Sequence, residues 1–324
     1  MLTAKRHIDT VKIFVTSLGN HFMIEIAQIF LEGFKNSRVS AEIAIDEIPA
    51  VAPKEDLLQI IIAPHEFYNL FLDTKLSQPE ILEITKAVYM LSAEQPLTVW
   101  FEMAYQKSIH SKGVLDITQQ TTDEYSKRGI LAIHTPLGYA PCLEEVMPAD
   151  RFLPKSVDIL FLGSHSHKRE FFLSKNAGFF SKYNSQLIIT RLEKPKFLDT
   201  PGFYANYERN RLLKSSKIIV NVHSVDNTYF EWLRILMAIA NRCLVISELS
   251  DYIEPLVNGK HLIVTELENI VSACEYYLEN DDERMRIVEQ AYQFVTKEFT
   301  SSIICRSLLD KLNNGIHIQS YGKS

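Results

Sequence analysis

The chain has 324 residues, of which 46% are hydrophobic and 23% charged, and its net charge is −6. This composition excludes collagen-like and disordered classes, and the acidic balance provides no global positive field for nucleic acid or anionic lipid. The four cysteines stand singly, which argues against a zinc site or a disulfide framework and is typical of a reducing compartment.

The first half of the chain alternates apolar, β-branched runs with segments of helical periodicity. Strands are predicted at 11–16, 39–45, 57–63, 97–101, 114–118 and 130–134, and helices at 23–34, 79–92 and 105–110. The continuous apolar run at 57–63 is typical of a strand that is buried on both faces of a parallel sheet. Strands that alternate with helices predict right-handed βαβ crossovers and a doubly wound sheet.

A proline-containing stretch at 135–154 indicates a linker, after which the alternation restarts. The later predicted strands are 158–162, 186–190, 217–222, 243–247 and 262–265, and the helices are 168–175, 204–215, 230–240, 266–279, 283–299 and 301–312. We therefore expect an α/β protein with two doubly wound, Rossmann-like domains that face a cleft. The predicted bounds are 1–150 and 151–300, and 301–324 is expected to form a helix and tail that pack back on the first domain.

Charge separates the two halves. Residues 1–150 contain 12 basic and 20 acidic side chains, whereas the remainder contains 22 basic and 20 acidic ones. The second domain is therefore the better surface for an anionic ligand such as a phosphorylated molecule.

The loop after the first strand of the second half is a candidate anion site, because loops at the carboxyl ends of parallel strands converge on ligands. Gly163 and Ser164 precede Lys168 and Arg169 at the start of a predicted helix. Glycine lets the backbone approach a ligand, and the two cations suit a diphosphate. The alternative is a polar turn with two solvated cations.

A second candidate loop precedes a helix that we expect to begin near Asn227 or Thr228, either of which is a good N-cap. That helix N-terminus would favour a phosphate, and Glu231 can accept hydrogen bonds from sugar or ribose hydroxyls. Alternatively, Glu231 only offsets the helix dipole and pairs with Arg234. The other candidate ligand-binding residues in this segment are His223 and Tyr229.

Loops of the first half supply candidates for the acceptor side of the cleft. Gly19 suits a tight turn or a close approach of substrate, and His21 is the candidate base. The predicted acceptor-side residues are Gly19, Asn20, Glu66, Glu94, Gly138 and Tyr139.

Motifs for several other chemistries are missing from the sequence. No GxGxxG follows the first strand, and neither GxxxxGK[ST] nor GxSxG occurs. A classical NAD domain, a P-loop and a nucleophile elbow are therefore disfavoured. No DxD-type metal motif follows a strand. His165 and His167 have a spacing that could suit a metal, but they lie in a predicted turn without nearby carboxylates, so neither a metal nor a cofactor is expected.

The segments 158–163, 218–223, 231–234, 240–248 and 252–263 together resemble the C-terminal domain of two-domain (GT-B) glycosyltransferases, with the closest similarity to the group-1-like and spore-maturation-protein-like branch. The resemblance covers about residues 155–300. It implies that a sugar moves from a nucleotide diphosphate donor, held by the second domain, to an acceptor in the first, without a metal. Lys168 and Arg169 match the family's basic loop, and 228–231 matches the start of its donor-binding helix.

One departure from the family pattern opens alternatives. Many relatives carry a pair of glutamates where this chain has Tyr229 and Met237, so Glu231 is expected to take over the donor contact, with His21 as base if the reaction inverts. The alternatives are a catalytically silent sugar-nucleotide-binding or scaffold protein on the same fold, or a nucleotide-sugar epimerase. A saccharide, a lipid-linked molecule and a protein all remain candidate acceptors. Because no signal peptide or membrane span is predicted, we expect a cytoplasmic protein.

Overall fold

Two α/β domains, each built on a parallel sheet, make up the computed structural model, which describes residues 7–191, 194–198 and 200–314. The predicted fold class is therefore confirmed. Among the described helices, none combines the length and the apolar character that crossing a membrane requires.

The first sheet has six strands, and every neighbouring pair in it is parallel. The strands are β1 (Thr10–Val15), β2 (Ser40–Ile45), β3 (Leu57–Ile62), β4 (Tyr89–Ser92), β5 (Gly113–Asp116) and β6 (Ala132–His134). Their spatial order is β2-β1-β3-β4-β5-β6. Ile13 and Val15 pack on one face and Phe14 on the other, because successive strand residues point to opposite faces.

Helices cover both faces of this sheet. They are α1 (His21–Lys35), α2 (Pro64–Glu66), α3 (Gln78–Ala87), α4 (Val99–Ser108) and α5 (Gln119–Lys127). In α1 the residues Met23, Ile26, Ala27, Phe30 and Phe34 are buried at helical spacing, so that one stripe of the helix faces the core.

The second sheet has five parallel strands in the order β11-β10-β9-β7-β8. These are β7 (Val157–Ser164), β8 (Ser185–Thr190), β9 (Ser216–Asn221), β10 (Leu244–Glu248) and β11 (Ile263–Thr265). The helices that follow the first domain are α6 (His167–Lys175), α7 (Ala177–Phe180), α8 (Asn206–Ser215), α9 (Trp232–Ala240), α10 (Ile270–Glu279), α11 (Asp281–Lys297) and α12 (Ser301–Asn313).

The last helix returns to the first domain. The α12 helix packs against α1, where the Sγ atom of Cys305 lies 3.8 Å from the carbonyl oxygen of Phe30. A Cβ atom added at Gly33 would lie 2.7 Å from the carbonyl oxygen of Ser301, so the two helices approach closely. The predicted tail beyond residue 314 lies outside the described residues.

A buried ion pair joins the two domains. Glu25 on α1 accepts a hydrogen bond of 2.6 Å from Arg209 on α8, and both side chains are more than nine-tenths buried. The other carboxylate oxygen of Glu25 accepts the backbone N–H of Asn206 at 2.9 Å. The first turn of α8 is thus anchored on the helix that follows β1.

Two element predictions in the first domain are wrong, and the elements β4 and α5 were not predicted. The predicted helix 79–92 ends at Ala87, and its apolar second half is strand β4, buried between β3 and β5. The predicted strand 97–101 is the start of α4, because the Thr98 hydroxyl caps the N–H of Phe101. Helix α5 was not predicted, although Thr118 caps it in the same way.

Candidate active site

Each sheet has a switch point where the direction of the crossovers reverses. In the first sheet the point lies between β1 and β3, and in the second between β7 and β9. Ligands of open α/β sheets bind outside the carboxyl ends of the strands at such points. The residues that follow these four strands are therefore the natural candidates for the site.

Three adjoining cavities occupy the cleft between the domains. The first cavity, of about 340 Å³, is lined by both domains, among others by Phe22, Met23, Ser164, Tyr229 and Arg234. The second cavity, of about 290 Å³, is lined among others by Asn20, His65, Glu66, Asn69, Trp100 and Met103. The third cavity, of about 460 Å³, is lined among others by Gln95, Trp100, Ser164, His165, Arg191 and Ser224. Glu94 lines all three, so it marks their junction.

Two arginines share one carboxylate on the second-domain wall. Glu231 accepts a hydrogen bond of 2.7 Å from Arg169 and is also bonded to Arg234. Arg234 in turn donates to the side-chain oxygen of Asn221 at 2.5 Å. Two guanidinium groups and one carboxylate leave a net positive charge in this cluster. Arg234 lines the first cavity, so the excess positive charge lies at the cavity wall.

Arg169 does not reach the cleft as predicted. Its side chain is completely buried and donates to the carbonyl oxygens of Val222 and Ser164 and to the Ser164 hydroxyl, at 2.6 to 3.0 Å. Burial lowers the pKa of Arg169 to about 10, which leaves the group charged at neutral pH. Arg169 lies in the first turn of α6, directly after the buried strand β7, and the two carbonyls, the hydroxyl and Glu231 offset the cost of burying its charge. Arg169 therefore acts on the cavity through Ser164 and Glu231.

Lys168 and His223 are also removed from the cavities. Lys168 forms ion pairs with Glu248 at 2.5 Å and Asp226 at 3.2 Å, so acidic neighbours offset its charge. His223 is buried, and its Nε2 atom lies 2.8 Å from the carbonyl oxygen of Leu249. Burial lowers the pKa of His223, which favours the neutral ring. The prediction that either side chain contacts the donor directly finds no support in this geometry.

The predicted helix start at Asn227 or Thr228 is wrong, since α9 begins at Trp232. The Thr228 hydroxyl donates to Asp251 at 2.5 Å, and the side-chain oxygen of Asn227 accepts the N–H of Tyr229 at 3.3 Å. Tyr229 is buried, and its hydroxyl lies 3.5 Å from the carbonyl oxygen of Ala93 in the first domain. The extended stretch before α9 places this ring in the first cavity.

On the first-domain wall, Gly19, Asn20 and Glu66 lie together as expected for loops that follow β1 and β3. The backbone N–H of Asn20 donates to Glu66 at 2.9 Å, and its side-chain amide donates to the other carboxylate oxygen. A Cβ atom at Gly19 would lie 2.1 Å from the Oε2 atom of Glu66, so only glycine allows this approach. Burial raises the pKa of Glu66, although both contacts from Asn20 lower it.

His65 and Glu94 face each other at the junction of the cavities. The Nε2 atom of His65 lies 3.8 Å from Oε1 of Glu94, and the Nδ1 atom of His65 is buried without a hydrogen-bond partner among the described residues. Burial lowers the pKa of His65 to about 4. Burial, and then the carboxylate of Glu66, raise the pKa of Glu94 to about 8. At neutral pH the pair is therefore a neutral imidazole beside a mostly protonated carboxyl group.

Three first-domain predictions fall outside the cavities. His21 hydrogen bonds through its N–H to the carbonyl oxygen of Lys196 and through its ring to Asn206, so it joins the domains rather than facing the cleft. Gly138 packs on the backbone of 300–301, and the Tyr139 hydroxyl donates to Glu144. Both residues lie where the chain returns into α12.

The cavities are also lined by side chains that sequence reasoning missed, among them His65, Trp100, Arg191 and Arg209. Two of these four residues could have been predicted to line the site from their positions in the sequence. His65 stands directly beside the predicted Glu66 after a buried strand, and Arg191 follows strand β8. Trp100 was not considered, because residues 97–101 were predicted to form a strand rather than the start of α4. Arg209 could not be identified from the sequence, because its partner Glu25 is distant in the chain.

No group of three metal-ligating side chains occurs among the residues that the structure describes. In the turn before α6, the Nε2 atom of His165 lies 3.2 Å from Glu170, and its ring lies 6.1 Å from that of His167. A reaction that needs no metal stays a prediction.

Known proteins with similar sequences and structures indicate the class of this site. Residues 195–310 match a family model described as glycosyl transferase-like. No curated protein matches the chain.

Among solved structures, HepE of Anabaena, in complex with UDP and glucose, has a TM-score of 0.61 at 13% identity, over 94% of this chain and 100% of that one. Sucrose-phosphate synthase of Thermosynechococcus elongatus has a TM-score of 0.61 at 9% identity, over 94% and 98% of the two chains. A glycosyltransferase of Rickettsia africae has a TM-score of 0.54 at 13% identity, over 95% and 99%.

At these identities the structural similarity shows the fold, which is the GT-B arrangement of two Rossmann-like domains. The family match covers residues 195–310, and this range includes Glu231 and Arg234 of the second-domain wall. This chain thus carries a glycosyltransferase-like domain on the GT-B fold, and the glycosyltransferase predicted from the sequence is confirmed at the level of enzyme class.

Proposed function

We propose that this chain transfers a sugar from a nucleoside diphosphate sugar to an acceptor held by the first domain. The observation that carries the proposal is the second-domain wall, where Arg169 and Arg234 share the carboxylate of Glu231 beside Ser164. An excess cation at the switch point of the sheet suits a diphosphate. The printed title of the HepE structure, with UDP and glucose bound, supports a donor of this class.

In this reaction the site must stabilise the leaving group, which is the nucleoside diphosphate. The acceptor hydroxyl oxygen bonds to the anomeric carbon while the bond from that carbon to the diphosphate oxygen breaks. The electron pair leaves on the diphosphate, and the hydroxyl proton ends there too. A fixed guanidinium such as Arg234 stabilises that developing negative charge without reorganising during the reaction.

Several finer parts of the proposal extend the sequence-based predictions. We place the chain in the spore-maturation-protein-like branch of the group-1-like enzymes, with a metal-independent and cofactor-free reaction in the cytoplasm. Membership of this branch is supported by the run from Glu231 to Arg234, which the resemblance singled out and which forms the wall of the first cavity.

Calorimetric titration with UDP-, GDP- and dTDP-glucose tests the proposal. We expect at least one donor to bind and Arg234→Met to weaken that binding by about tenfold or more. Arg286→Met is the matched control, because Arg286 forms an exposed pair with Glu283 on α11, away from the cleft. The absence of binding by every donor tested would contradict the proposal.

A catalytically silent binding protein is the second candidate, and one observation favours it. Glu231, expected to bind donor hydroxyls, has both carboxylate oxygens engaged by arginines. Release of free nucleotide from a bound donor, measured with a coupled assay, separates the two functions. Binding without release or transfer supports the silent protein, and release coupled to sugar transfer supports the enzyme. Conversion of the donor sugar without an acceptor would indicate an epimerase.

A further inference from the structure

The second cavity combines an aromatic face with polar side chains, which is the surface that a sugar ring requires. Trp100 and Met103 supply the apolar part, and Asn69, His65 and Glu94 supply hydrogen-bonding groups. The face of a sugar ring presents C–H groups that pack on the electron-rich face of an aromatic ring, while its hydroxyls project from the edge. A cavity of about 290 Å³ is of the size that holds a small ligand.

Trp100 is partly exposed to solvent, whereas many of the large aromatic side chains among the described residues are buried. Its exposed fraction is 47%, compared with 2% for Trp232. Trp100 lies on the first turn of α4 and lines both the second and the third cavity. Its ring centroid is 5.9 Å from that of His65, so the indole stands directly beside the polar groups. An exposed indole at the mouth of a polar cavity is a stacking platform for a ligand.

A buried ring nitrogen of His65 lacks a hydrogen-bond partner within the described part of the chain. The side chain of His65 is 4% exposed, and its Nδ1 atom makes no hydrogen bond. The side chain of Glu94 is 16% exposed, and its Oε1 atom lies 3.8 Å from the Nε2 atom of His65. Polar groups that are buried without partners are costly, so a ligand that both donates and accepts hydrogen bonds would be favoured here. An alkyl chain would leave them unsatisfied.

Glu94 also fixes where the ligand meets the donor. Because Glu94 lines the first cavity, with Arg234 and Ser164, as well as the second, a hydroxyl bound to it lies at the boundary between the two. From this arrangement we infer that the second cavity binds a saccharide acceptor, whose ring stacks on Trp100 and whose reactive hydroxyl is held by Glu94 and His65. The inference rests on the proposed function, because it names the acceptor class for that transfer.

Tryptophan fluorescence tests the inference, because the chain has two tryptophans, of which Trp100 lines the second cavity and the buried Trp232 lines the first. The probes are maltose, cellobiose, lactose and N,N′-diacetylchitobiose, titrated into the full chain. We expect at least one disaccharide to change the emission of the wild type and to leave that of Trp100→Phe unchanged. Glu94→Gln should weaken the binding of the same disaccharide by about tenfold. Phe171→Ala, which removes an aromatic ring exposed on α6, is the control and should bind like the wild type.

Two outcomes would overturn the inference. The first is that no disaccharide changes the tryptophan emission. The second is that vesicles of phosphatidylcholine and phosphatidylglycerol change the emission of Trp100 while the disaccharides do not. That second result would indicate a lipid-linked acceptor. Calorimetry with UDP-glucose runs in parallel. If the donor binds and the disaccharides do not, only the acceptor inference fails. If disaccharides bind through Trp100 and no nucleotide sugar binds, the proposed function fails instead.

Discussion

Arg169 donates a hydrogen bond of 2.7 Å to Glu231, although the two residues are 62 positions apart in the chain. The bond joins the first turn of α6 to the residue that precedes α9, across the switch point of the second sheet. It also holds the Glu231 carboxylate where Arg234 contacts its other oxygen. The candidate donor wall is therefore one buried network, and its charge balance depends on each member.

The first prediction concerns the stability of this network. Arg169→Met should lower the free energy of unfolding by about 3 kcal/mol, because the substitution leaves two carbonyls and part of a carboxylate without their buried donor. Urea denaturation of both chains measures the difference. Arg286→Met, which removes an exposed ion pair with Glu283, should cost less than about 1 kcal/mol. Equal losses in the two variants would contradict a structural role for the buried network.

The second prediction concerns the approach of Gly19 to Glu66. Gly19→Ala places a Cβ atom 2.1 Å from the Glu66 carboxylate, so the carboxylate must move and its bonds to Asn20 must weaken. We expect a loss of about 1–3 kcal/mol in unfolding free energy. Thermal denaturation checks the loss. Gly178→Ala is the matched control, because its Cβ would meet nothing within 4 Å, and it should be neutral or stabilising.

The third prediction concerns the ion pair that joins the domains. Arg209→Met leaves the Glu25 carboxylate buried with only the Asn206 N–H as partner, which should cost about 3 kcal/mol of stability. Glu25→Met combined with Arg209→Met should recover most of that loss, because no unpaired charge remains. A double-mutant cycle by urea denaturation gives the coupling. A double variant that is as unstable as the sum of the singles would show that the two residues act independently.

The sequence alone predicted the architecture well and the site in part. Runs of β-branched and aromatic residues identified ten of the eleven described strands, since burial on both faces leaves a strong local signal. The predicted strands placed Ser164 and Glu231 beyond their carboxyl ends, and both residues line the first cavity. Glu94 was expected to precede a strand at 97–101, whereas it follows strand β4. Local pattern cannot show which cations are neutralised by partners distant in sequence. Lys168, paired with Glu248, and Arg169, bonded to Val222, were therefore assigned to the ligand.

The last prediction is a pH dependence that depends on Glu94. Its pKa is raised to about 8 from an ordinary value of 4.5, by burial first and by Glu66 second. Between these two values the native state binds a proton that the unfolded state has released, so stability falls as pH rises. The slope from this group is at most about 1.4 kcal/mol per pH unit. The titratable groups around Glu94 are His65, Glu66, Asp116, Tyr125 and Tyr229.

Urea denaturation of the wild type and Glu94→Gln from pH 6.5 to 8 isolates this slope. His65 has a pKa lowered to about 4 from an ordinary 6.5, so its native form is neutral across the window. The proton that its unfolded form still holds near pH 6.5 affects both chains alike and largely cancels in the difference. The wild type should lose stability across the window, and Glu94→Gln should lose less, because glutamine has no proton to release. Asp116 is present in both chains, so its contribution largely cancels in the difference. Identical slopes would mean that Glu94 ionises normally, and its role at the junction of the cavities would then be that of a carboxylate rather than of a hydrogen-bond donor.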